Sequence, residues 1–245
     1  MYLKVISTGS VGNSYLLGNE NETLLIEAGV NIKDIKQALN FDYTKVAGCI
    51  VSHSHGDHAK SIKEVMALGI ETFASKETLI AKDCYEHHKA VELTATKTHH
   101  IGNFKVMPFE VKHDVPCMGF LIEHKDCGRT IFLTDTYFCK YTFPNLNNII
   151  IEANYSKAII DKRFGPESGK EFLRNRILRS HFSLENCKDM LSANDLSAVN
   201  NIVLIHLSDG NSNEKQFVDE VQELTGKSVC AAVNGMEVPF KKYPF

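Results

Sequence analysis

The stretch AGCIVSHSHGDH, residues 47–58, constrains the fold of this chain more than any other part of the sequence. Its first residues are small or apolar on consecutive positions, which is typical of a strand that is covered on both faces. His53, His55, Asp57 and His58 follow where this strand runs out. Reactive groups are commonly held on loops at strand ends. The stretch therefore predicts a buried strand that leads into a metal-binding loop.

Similar apolar runs recur along the chain, among them TIFLTD, NIIIEAN and NIVLIHL. Each is short and bounded by Gly, Asn, Asp or charged residues, as strands usually are. Amphipathic segments lie between some of them, and NEKQFVDEVQEL opens on Asn213 with Gln216 three positions later, a pair suited to capping a helix. Strands that are apolar on both faces require helices outside the sheet, so the pattern predicts an α/β fold. No linker, repeat or low-complexity segment interrupts the chain, which predicts a single domain over residues 1–245.

Composition narrows the classes of protein that this chain can belong to. Hydrophobic residues make up 43% of the chain and charged residues 23%, values that are ordinary for a globular protein with a sizeable core. The N-terminus lacks a signal peptide and no apolar run is long enough to cross a membrane, so we expect a cytoplasmic protein without membrane contact. The seven cysteines are odd in number and never form a CxxC pair, which argues against a disulfide framework and a zinc-thiolate site.

The spacing within the histidine-rich loop indicates two metal-binding points. His53 and His55 are two residues apart, so their side chains point the same way in an extended backbone. Gly56 allows the chain to turn, which aims Asp57 and His58 at a second point. Imidazole nitrogens with a carboxylate suit Zn²⁺, with Mn²⁺ or Fe²⁺ as alternatives. The alternative to a metal loop is a polar helix-entry loop, which does not explain four ligand-type residues in six positions.

One loop cannot complete two metal shells, so further ligands must come from elsewhere in the chain. His113 ends FEVKHD, Asp135 ends IFLTDT, and His206 lies near the end of IVLIHLS. All three follow a mostly apolar strand, which is also the context of His53. Together with the loop they give five histidines and two aspartates, a set that fits two divalent metal ions bridged by a carboxylate and a hydroxide.

The order of these motifs resembles the metallo-β-lactamase fold, and the resemblance covers essentially the whole chain. It implies a four-layer αββα sandwich, with two sheets face to face and helices outside. The segments STGSVGNSYLL, HDVPCMGF, IIIEANYS and RSHFS further resemble the YycJ/WalJ branch, whose members are associated with exonuclease action on DNA. By this resemblance the first metal is held by His53, His55 and His113, the second by Asp57, His58 and His206, and Asp135 bridges them.

A two-metal site of this kind predicts attack on a phosphodiester by an activated hydroxide. We expect Asp57 to orient the attacking water and to accept its proton. His181 in RSHFS resembles the histidine of tRNA-processing relatives and is the candidate acid that protonates the leaving alkoxide. Glu152 resembles the acidic residue that supports this histidine, and a carboxylate in that place would raise the pKa of His181. The alternatives are a solvent-facing histidine and a glutamate that only caps a turn.

Four further residues are predicted to surround the metals. Glu27 in TLLIEAGV occupies the place of a family aspartate that orients the ligand loop, and the alternative is an acid that faces water. Ser10, Asn13 and Ser14 lie on the turn STGSVGNS. The resemblance implies that this turn lines the metal cleft, where its donors could hold a phosphate. The alternative is a plain hairpin loop.

A basic segment at residues 156–181 points to the substrate. It holds seven basic side chains against three acidic ones, which gives it +4 in a chain of net charge −3. We predict that Arg174, Arg176 and Arg179 bind phosphates, because such contacts hold a nucleic-acid backbone without reading its sequence. The alternative is a solvated helix face of mixed charge.

The sequence therefore predicts a metal-dependent phosphodiesterase, most directly an exonuclease that acts on DNA. The alternatives are an RNA-processing nuclease and a small-molecule hydrolase that acts on a cyclic phosphodiester, a thioester or a lactone. The oligomeric state is left open, a homo-oligomer included. The other histidines lie in polar surroundings without ligand spacing and are predicted to be solvated surface residues: His87, His88, His99, His100 and His124.

Overall fold

A computed structural model of the chain describes residues 1–165 and 168–243. Its strands are β1 (Tyr2–Ser7), β2 (Ser14–Gly18), β3 (Thr23–Ile26), β4 (Val46–Ile50), β5 (Thr72–Ala74), β6 (Ala90–Glu92), β7 (His99–Ile101), β8 (Phe104–Val111), β9 (Cys117–His124), β10 (Gly128–Leu133), β11 (Leu146–Glu152), β12 (Asn201–Ile205), β13 (Ser228–Ala231) and β14 (Glu237–Pro239). Its helices are α1 (Ile32–Ala38), α2 (Gly56–Ala59), α3 (Ile62–Ala67), α4 (Lys76–Ala81), α5 (Lys157–Arg163), α6 (Glu171–Ser180), α7 (Leu184–Ser192) and α8 (Glu214–Thr225).

The strands form two seven-stranded sheets. The first sheet has the order β14-β1-β2-β3-β4-β5-β6, and the second has the order β13-β12-β11-β10-β9-β8-β7. β3 to β6 run parallel to one another in the first sheet, and β10 to β13 do so in the second. The carboxyl ends of parallel neighbours lie at the same edge of a sheet, which is where open α/β sheets commonly bind ligands. The residues that follow β3, β4, β10, β11 and β12 are therefore gathered at sheet edges.

Packing between the elements explains why so many strands are apolar on consecutive positions. Ile149, Ile150 and Ile151 of β11 are all fully buried. Successive residues of a strand point to opposite faces of its sheet. Ile150 belongs to an apolar cluster between the two sheets. Ile149 and Ile151 pack on the other face with residues of the helices, including Cys187 of α7 and Phe217 of α8. The prediction of strands covered on both faces is confirmed.

The first sheet is covered in the same way. Leu25 of β3 and Cys49 of β4 pack on its outer face against Ile35 of α1 and Val65 of α3. Two sheets with a shared apolar interior and helices on both outer faces form the predicted four-layer αββα sandwich, which is confirmed. That residues 1–245 make up one domain stays a prediction.

The last helix shows how local sequence sets an element boundary. Asn213 precedes α8, and its Oδ1 accepts a hydrogen bond from the backbone N–H of Gln216 at 3.1 Å, as the capping pattern predicts. Gly226 ends the helix with a φ of 64°, a conformation that glycine adopts without strain. Across the described parts of the chain, no helix is both long enough and apolar enough to span a membrane.

Candidate metal centre

The seven predicted ligands lie together at one edge of the sandwich. Three overlapping groups of side chains each bring their ligand atoms within 4.8 Å of one another: His53, His55 and His113; His53, His58 and Asp135; and Asp57, His58 and His206. The loop after β4 supplies four of these residues, and the ends of β8, β10 and β12 bring the other three to it. The fold thus juxtaposes strand ends that are far apart in the chain.

The first histidine group brings three imidazole rings together, and one of their nitrogens is buried without a partner among the described residues. His53 Nδ1 lies 2.9 Å from Ser52 Oγ, while its Nε2 is buried and has no hydrogen-bond partner among the described residues. His113 Nδ1 donates to the carbonyl of Ser180 at 2.8 Å, so its Nε2 is left as a lone pair, 3.3 Å from His55 Nδ1. A buried polar atom without a partner is costly. This donor set fits a bound metal ion, because a cation would satisfy His53 Nε2 and take the neighbouring nitrogens of His55 and His113 as further ligands.

The second group is built around two carboxylates. His58 Nε2 lies 2.6 Å from Asp135 Oδ2 and 3.6 Å from Asp57 Oδ2. His206 Nε2 lies 3.3 Å from Asp57 Oδ2 and 4.0 Å from Asp135 Oδ2. Asp135 also belongs to a group with His53, so its carboxylate stands between the two sets of ligands. That is the place a bridging ligand requires.

The electrostatics of the cluster favour added positive charge. Burial, and then the positive charge of His58, hold the pKa of His53 well below its usual range, so His53 is neutral and able to act as a ligand. Burial alone would lower the pKa of His58, but the carboxylates of Asp135 and Glu27 outweigh it and raise that pKa well above its usual range. Burial alone would raise the pKa of Asp135, but His206 and His58 outweigh it and hold that pKa well below its usual range. A divalent cation supplies the same positive charge.

Three residues of this edge have backbones in the left-handed region. Glu27, Asp135 and His206 have φ values of 66°, 45° and 55°, and each lies just past the end of a strand, β3, β10 or β12. Non-glycine residues rarely adopt such angles, which cost about 1–3 kcal/mol each and gather at functional sites. The sharp turn at each strand end aims the side chain along the sheet edge into the cluster.

The metal loop is held by close backbone packing. Asp57 O accepts a hydrogen bond from Asn13 N at 2.7 Å, and a Cβ on Gly29 would lie only 1.7 Å from the same oxygen. Gly29 is therefore required to be glycine. The turn that Gly56 was predicted to allow does not depend on glycine: Gly56 is the first residue of α2, has no left-handed φ, and has open space where a Cβ would stand.

Glu27 lies behind the ligands. It is fully buried, its two carboxylate oxygens accept from the backbone N–H of Ser52 at 3.2 and 3.3 Å, and its Oε1 lies 3.6 Å from His58 Nδ1. The alternative of an acid that faces water is wrong. The longer glutamate side chain is accommodated by backbone contacts to the start of the metal loop, which suits the predicted role in orienting ligands.

The turn STGSVGNS packs against the ligands, but two of its residues differ from prediction. Asn13 is buried, and its Nδ2 lies 3.2 Å from both Asp57 O and His58 Nε2. Ser14 is fully buried and donates to the carbonyl of Glu27 at 2.9 Å. Both side chains are engaged by the protein, so the predicted phosphate contacts of Asn13 and Ser14 are wrong. Ser10 is exposed, and its phosphate contact stays a prediction.

His181 and Glu152 form a close pair beside the cluster. His181 Nδ1 lies 2.8 Å from Glu152 Oε1 and 2.9 Å from Asp135 Oδ1, and Glu152 Oε2 accepts from the backbone N–H of Phe182 at 3.1 Å. Burial opposes protonation, but Glu152 and Asp135 outweigh it and raise the pKa of His181 to about 10. The ring is one-quarter exposed, at 25%. Because Nδ1 faces the carboxylates, Nε2 is the atom left to face a substrate.

The basic segment is only partly available for phosphates. Glu167, one of its acidic residues, lies outside the described residues. Arg174 donates to Asp161 from Nε at 2.9 Å and from Nη2 at 2.6 Å in a solvent-exposed ion pair, and its phosphate contact stays a prediction. Arg176 and Arg179 are exposed on α6, and Arg179 directly precedes the residue whose carbonyl holds His113.

One of the remaining histidines was mispredicted. His124 is buried, lies 3.1 Å from Glu22 Oε1 through its Nε2, and packs on the ring of Phe104 at 4.8 Å, so it is not a solvated surface residue. The other four lie at the surface, exposed or half-buried: His87, His88, His99 and His100.

Two residues at the cluster were not predicted. Asn154 Nδ2 donates to the carbonyl of His206 at 2.8 Å and lies 3.0 Å from its Nδ1, so it holds this ligand from behind. Asp114 Oδ1 lies 3.0 Å from His113 Nε2 and 3.5 Å from His55 Nε2. The one available signal for Asp114 was its position directly after a predicted ligand.

Comparisons with known proteins agree with these features. A family model described as anti-Pycsar protein Apyc1 matches residues 5–88. The chain is 26% identical to the exodeoxyribonuclease WalJ of Streptococcus pneumoniae serotype 2 (strain D39 / NCTC 7466), over 98% of its own length and 92% of that protein. It is also 26% identical to the exodeoxyribonuclease YycJ of Bacillus anthracis, over 95% of its own length and 93% of that protein. The metallo-β-lactamase fold protein YhfI from Bacillus subtilis superimposes with a TM-score of 0.72 at 14% identity, covering 97% of this chain and 99% of YhfI.

Proposed function

We propose that this chain, which has the metallo-β-lactamase fold and resembles the WalJ and YycJ exodeoxyribonucleases, is a metal-dependent exonuclease that acts on DNA with two divalent metal ions. The observation that carries this proposal is the His181–Glu152 pair, 2.8 Å apart, beside a seven-residue His/Asp cluster. A metal cluster activates water, and the added pair supplies the proton that a poor leaving group needs.

The donor set defines where the ions are held. His53, His55 and His113 would hold one ion and Asp57, His58 and His206 the other, with Asp135 as the bridge. Zinc is the first choice for this mixture of imidazole and carboxylate, with manganese or iron as alternatives. When bound, such ions make hydroxide available near neutral pH and stabilise charge on the attacking and leaving oxygens of a phosphodiester.

Asp57 and His181 move the protons. Asp57 keeps its side chain 28% exposed, so water can reach it, and we assign to it the orientation of the attacking water and the acceptance of its proton. Glu152 and Asp135 outweigh burial and raise the pKa of His181, which favours its protonated, acid form. Its Nε2–H donates to the leaving oxygen, while Glu152 fixes the ring through Nδ1.

A DNA substrate is favoured by the names of the relatives and by the exposed Arg176 and Arg179 on α6. It also suits the cytoplasmic location that we expect. An RNA-processing nuclease would use the same ligands and the same proton donor. A hydrolase of cyclic phosphodiesters, thioesters or lactones would use the same ligands, and the thiolate expelled from a thioester needs a proton donor less than an alkoxide does.

The test is hydrolysis of end-labelled duplex DNA by the purified, metal-loaded protein, with RNA, a cyclic dinucleotide, a thioester and a lactone as parallel substrates. We expect DNA to be degraded from its ends and Asp57→Ala to lower kcat by at least a hundredfold. Asp219→Ala, on the exposed face of α8, is the matched control and should retain full activity. Equal activity in Asp57→Ala and the parent protein would contradict the mechanism. Turnover of thioesters or lactones without nucleic acid would contradict the substrate.

A further inference from the structure

An exposed aromatic pair follows the site residue Asp135. Residues 134–136 are buried, and the chain then emerges with Tyr137 and Phe138, which are 38% and 56% exposed. In residues 1–165 and 168–243 this is the one place where two large, exposed aromatic side chains are adjacent. Contiguous exposed apolar side chains mark interaction sites, whereas single ones are common on protein surfaces.

The backbone of this pair is fixed at the rim of the metal centre. Thr136 Oγ1 lies 3.1 Å from Lys112 N and 2.9 Å from Lys112 O. Tyr137 N donates to Lys112 O at 3.0 Å, and Asn186 Nδ2 donates to Tyr137 O at 2.9 Å. Lys112 directly precedes His113, and Asn186 lies on α7, which follows His181. The aromatic pair is therefore anchored between the loop of a proposed ligand and the helix after the proposed acid.

The segment beyond the pair is anchored as well. Cys139 and Tyr141 pack against the apolar cluster of the second sheet, which fixes the chain just beyond Phe138. Phe138 is three residues from Asp135, which places its Cα within about 11 Å of that residue's Cα. At about 3.4 Å per stacked nucleotide, this distance corresponds to roughly three nucleotides.

Positive charge accompanies the rings. Lys112 and Lys140 are exposed on either side of the pair, Lys140 Nζ lies 5.1 Å from the centroid of the Tyr141 ring, and Arg179 is exposed at the end of α6. Asp114, an acidic residue next to His113, lies 3.0 Å from His113 Nε2 and 3.5 Å from His55 Nε2. Aromatic rings interleaved with basic side chains are the arrangement with which proteins bind single-stranded nucleic acid, because every base has a face that stacks.

We propose that Tyr137 and Phe138 form a stacking platform for an unpaired base of the strand that is cut. The platform deepens the proposed nuclease function and rests on it: the substrate class becomes a single-stranded or frayed DNA end. A base within a duplex is covered on both faces by its neighbours, so it must be unstacked before it can meet the rings.

The first experiment compares two DNA strands that differ only at the end being digested, one with normal nucleotides and one with abasic units in the terminal three positions. Phe138→Ala should raise KM on the normal strand by roughly 5- to 100-fold, with kcat nearly unchanged. On the abasic strand the variant and the parent should have the same KM. Phe138→Trp should restore the KM of the normal strand, because tryptophan also stacks.

Phe41→Leu, at an exposed aromatic residue in the loop after α1, is the matched control. It should leave the KM unchanged on both the normal and the abasic strand. Thermal unfolding of each variant verifies the fold. An unchanged KM of Phe138→Ala on the normal strand, or an equal rise on both strands, would overturn the platform.

A binding experiment separates the platform from the proposed function. A strand with 2-aminopurine at its end should lose fluorescence when it binds the parent protein, because stacking quenches this base, and should lose much less with Phe138→Ala. If the parent protein quenches this strand more than Phe138→Ala does but cleaves no DNA, the proposed function fails while the platform stands. If cleavage occurs without any quenching by the parent protein, the platform fails while the proposed function stands.

Discussion

His181 is the residue at which a catalytic role can best be separated from a structural one. Two carboxylates engage its Nδ1, which leaves Nε2 for the cleft. A general acid accelerates a reaction only where the leaving group needs a proton. A comparison of substrates with different leaving groups therefore tests directly whether His181 acts as an acid.

We expect His181→Ala to lower kcat on DNA by roughly 10²- to 10⁴-fold. On thymidine 5′-(4-nitrophenyl) phosphate the loss should be less than about tenfold, because nitrophenolate leaves without a proton. Steady-state kinetics on the two substrates at neutral pH measure the difference. Equal losses on both would show that His181 only maintains the shape of the site.

Single residues show where sequence is informative and where it is not. A ligand-type residue directly after an apolar strand is a local signal, and it brought His113, Asp135 and His206 into the predicted set. Burial of a polar side chain is decided by distant contacts instead. Ser14 meets the carbonyl of Glu27, and His124 meets a carboxylate 102 residues away, so neither environment could be predicted from neighbouring residues.

At the scale of elements, the metal loop keeps its shape because the turn at Asn13 and the segment after β3 both pack against its backbone. The segment after β3 approaches Asp57 O so closely that only glycine fits at position 29, and Ala28 N donates to His58 O at 2.8 Å. The strands themselves were predictable from their apolar runs. The left-handed turns at Glu27, Asp135 and His206 were not, because nothing in these residue types announces such a backbone.

Gly29→Ala should displace the metal loop. Its Cβ overlaps a backbone oxygen, and overpacking of this kind costs about 1–3 kcal/mol of stability. We expect a lower free energy of unfolding by denaturant and less bound zinc per chain by elemental analysis. Gly56→Ala, in the same loop but with open space for its Cβ, is the control and should bind zinc as the parent protein does. Normal zinc content in Gly29→Ala would contradict this role of the close packing.

At the scale of the whole molecule, the two sheets are joined at the edge opposite the metal centre. Glu22, before β3, accepts from Asn103 N at 2.9 Å and from Asn103 Nδ2 at 2.6 Å, and it contacts the buried His124 of β9 at 3.1 Å. Burial alone would raise the pKa of Glu22, but the hydrogen bonds from Asn103 and His124 outweigh it and lower that pKa from 4.5.

This contact predicts a pH dependence of stability. A carboxyl group whose pKa is lowered by folding stabilises the protein above its unfolded pKa, here about 4.5, and the contribution is lost as the pH falls through the lower folded value. Denaturant unfolding below pH 5 should therefore show that Glu22→Gln loses less stability than the parent protein, by on the order of 1 kcal/mol. Glu20→Gln, an exposed neighbour, should behave as the parent does. If the free energy of unfolding fell with pH in the same way in the parent protein and in Glu22→Gln, the stabilising role of the Glu22 carboxylate would be contradicted.

Helices outside a covered sheet followed from the consecutive apolar residues of many strands, whereas the pairing of two sheets was implied by the resemblance to the metallo-β-lactamase fold. The identity of the substrate could be predicted from the sequence less fully than the fold. The same seven side chains serve hydrolysis of several ester classes, and the residues that choose among them lie on surfaces such as α6 and the segment after Asp135. Their positions depend on packing between distant elements.

The central claim is that two metal ions act together in this cluster, and titration of zinc into metal-free protein tests it most directly. Bound zinc per chain and the rate of DNA cleavage are measured on the same samples. We expect saturation at two ions per chain, with cleavage rising to its plateau only as the second ion binds. Saturation at one ion, or full activity with one, would contradict the assignment of the seven ligands to a two-metal site.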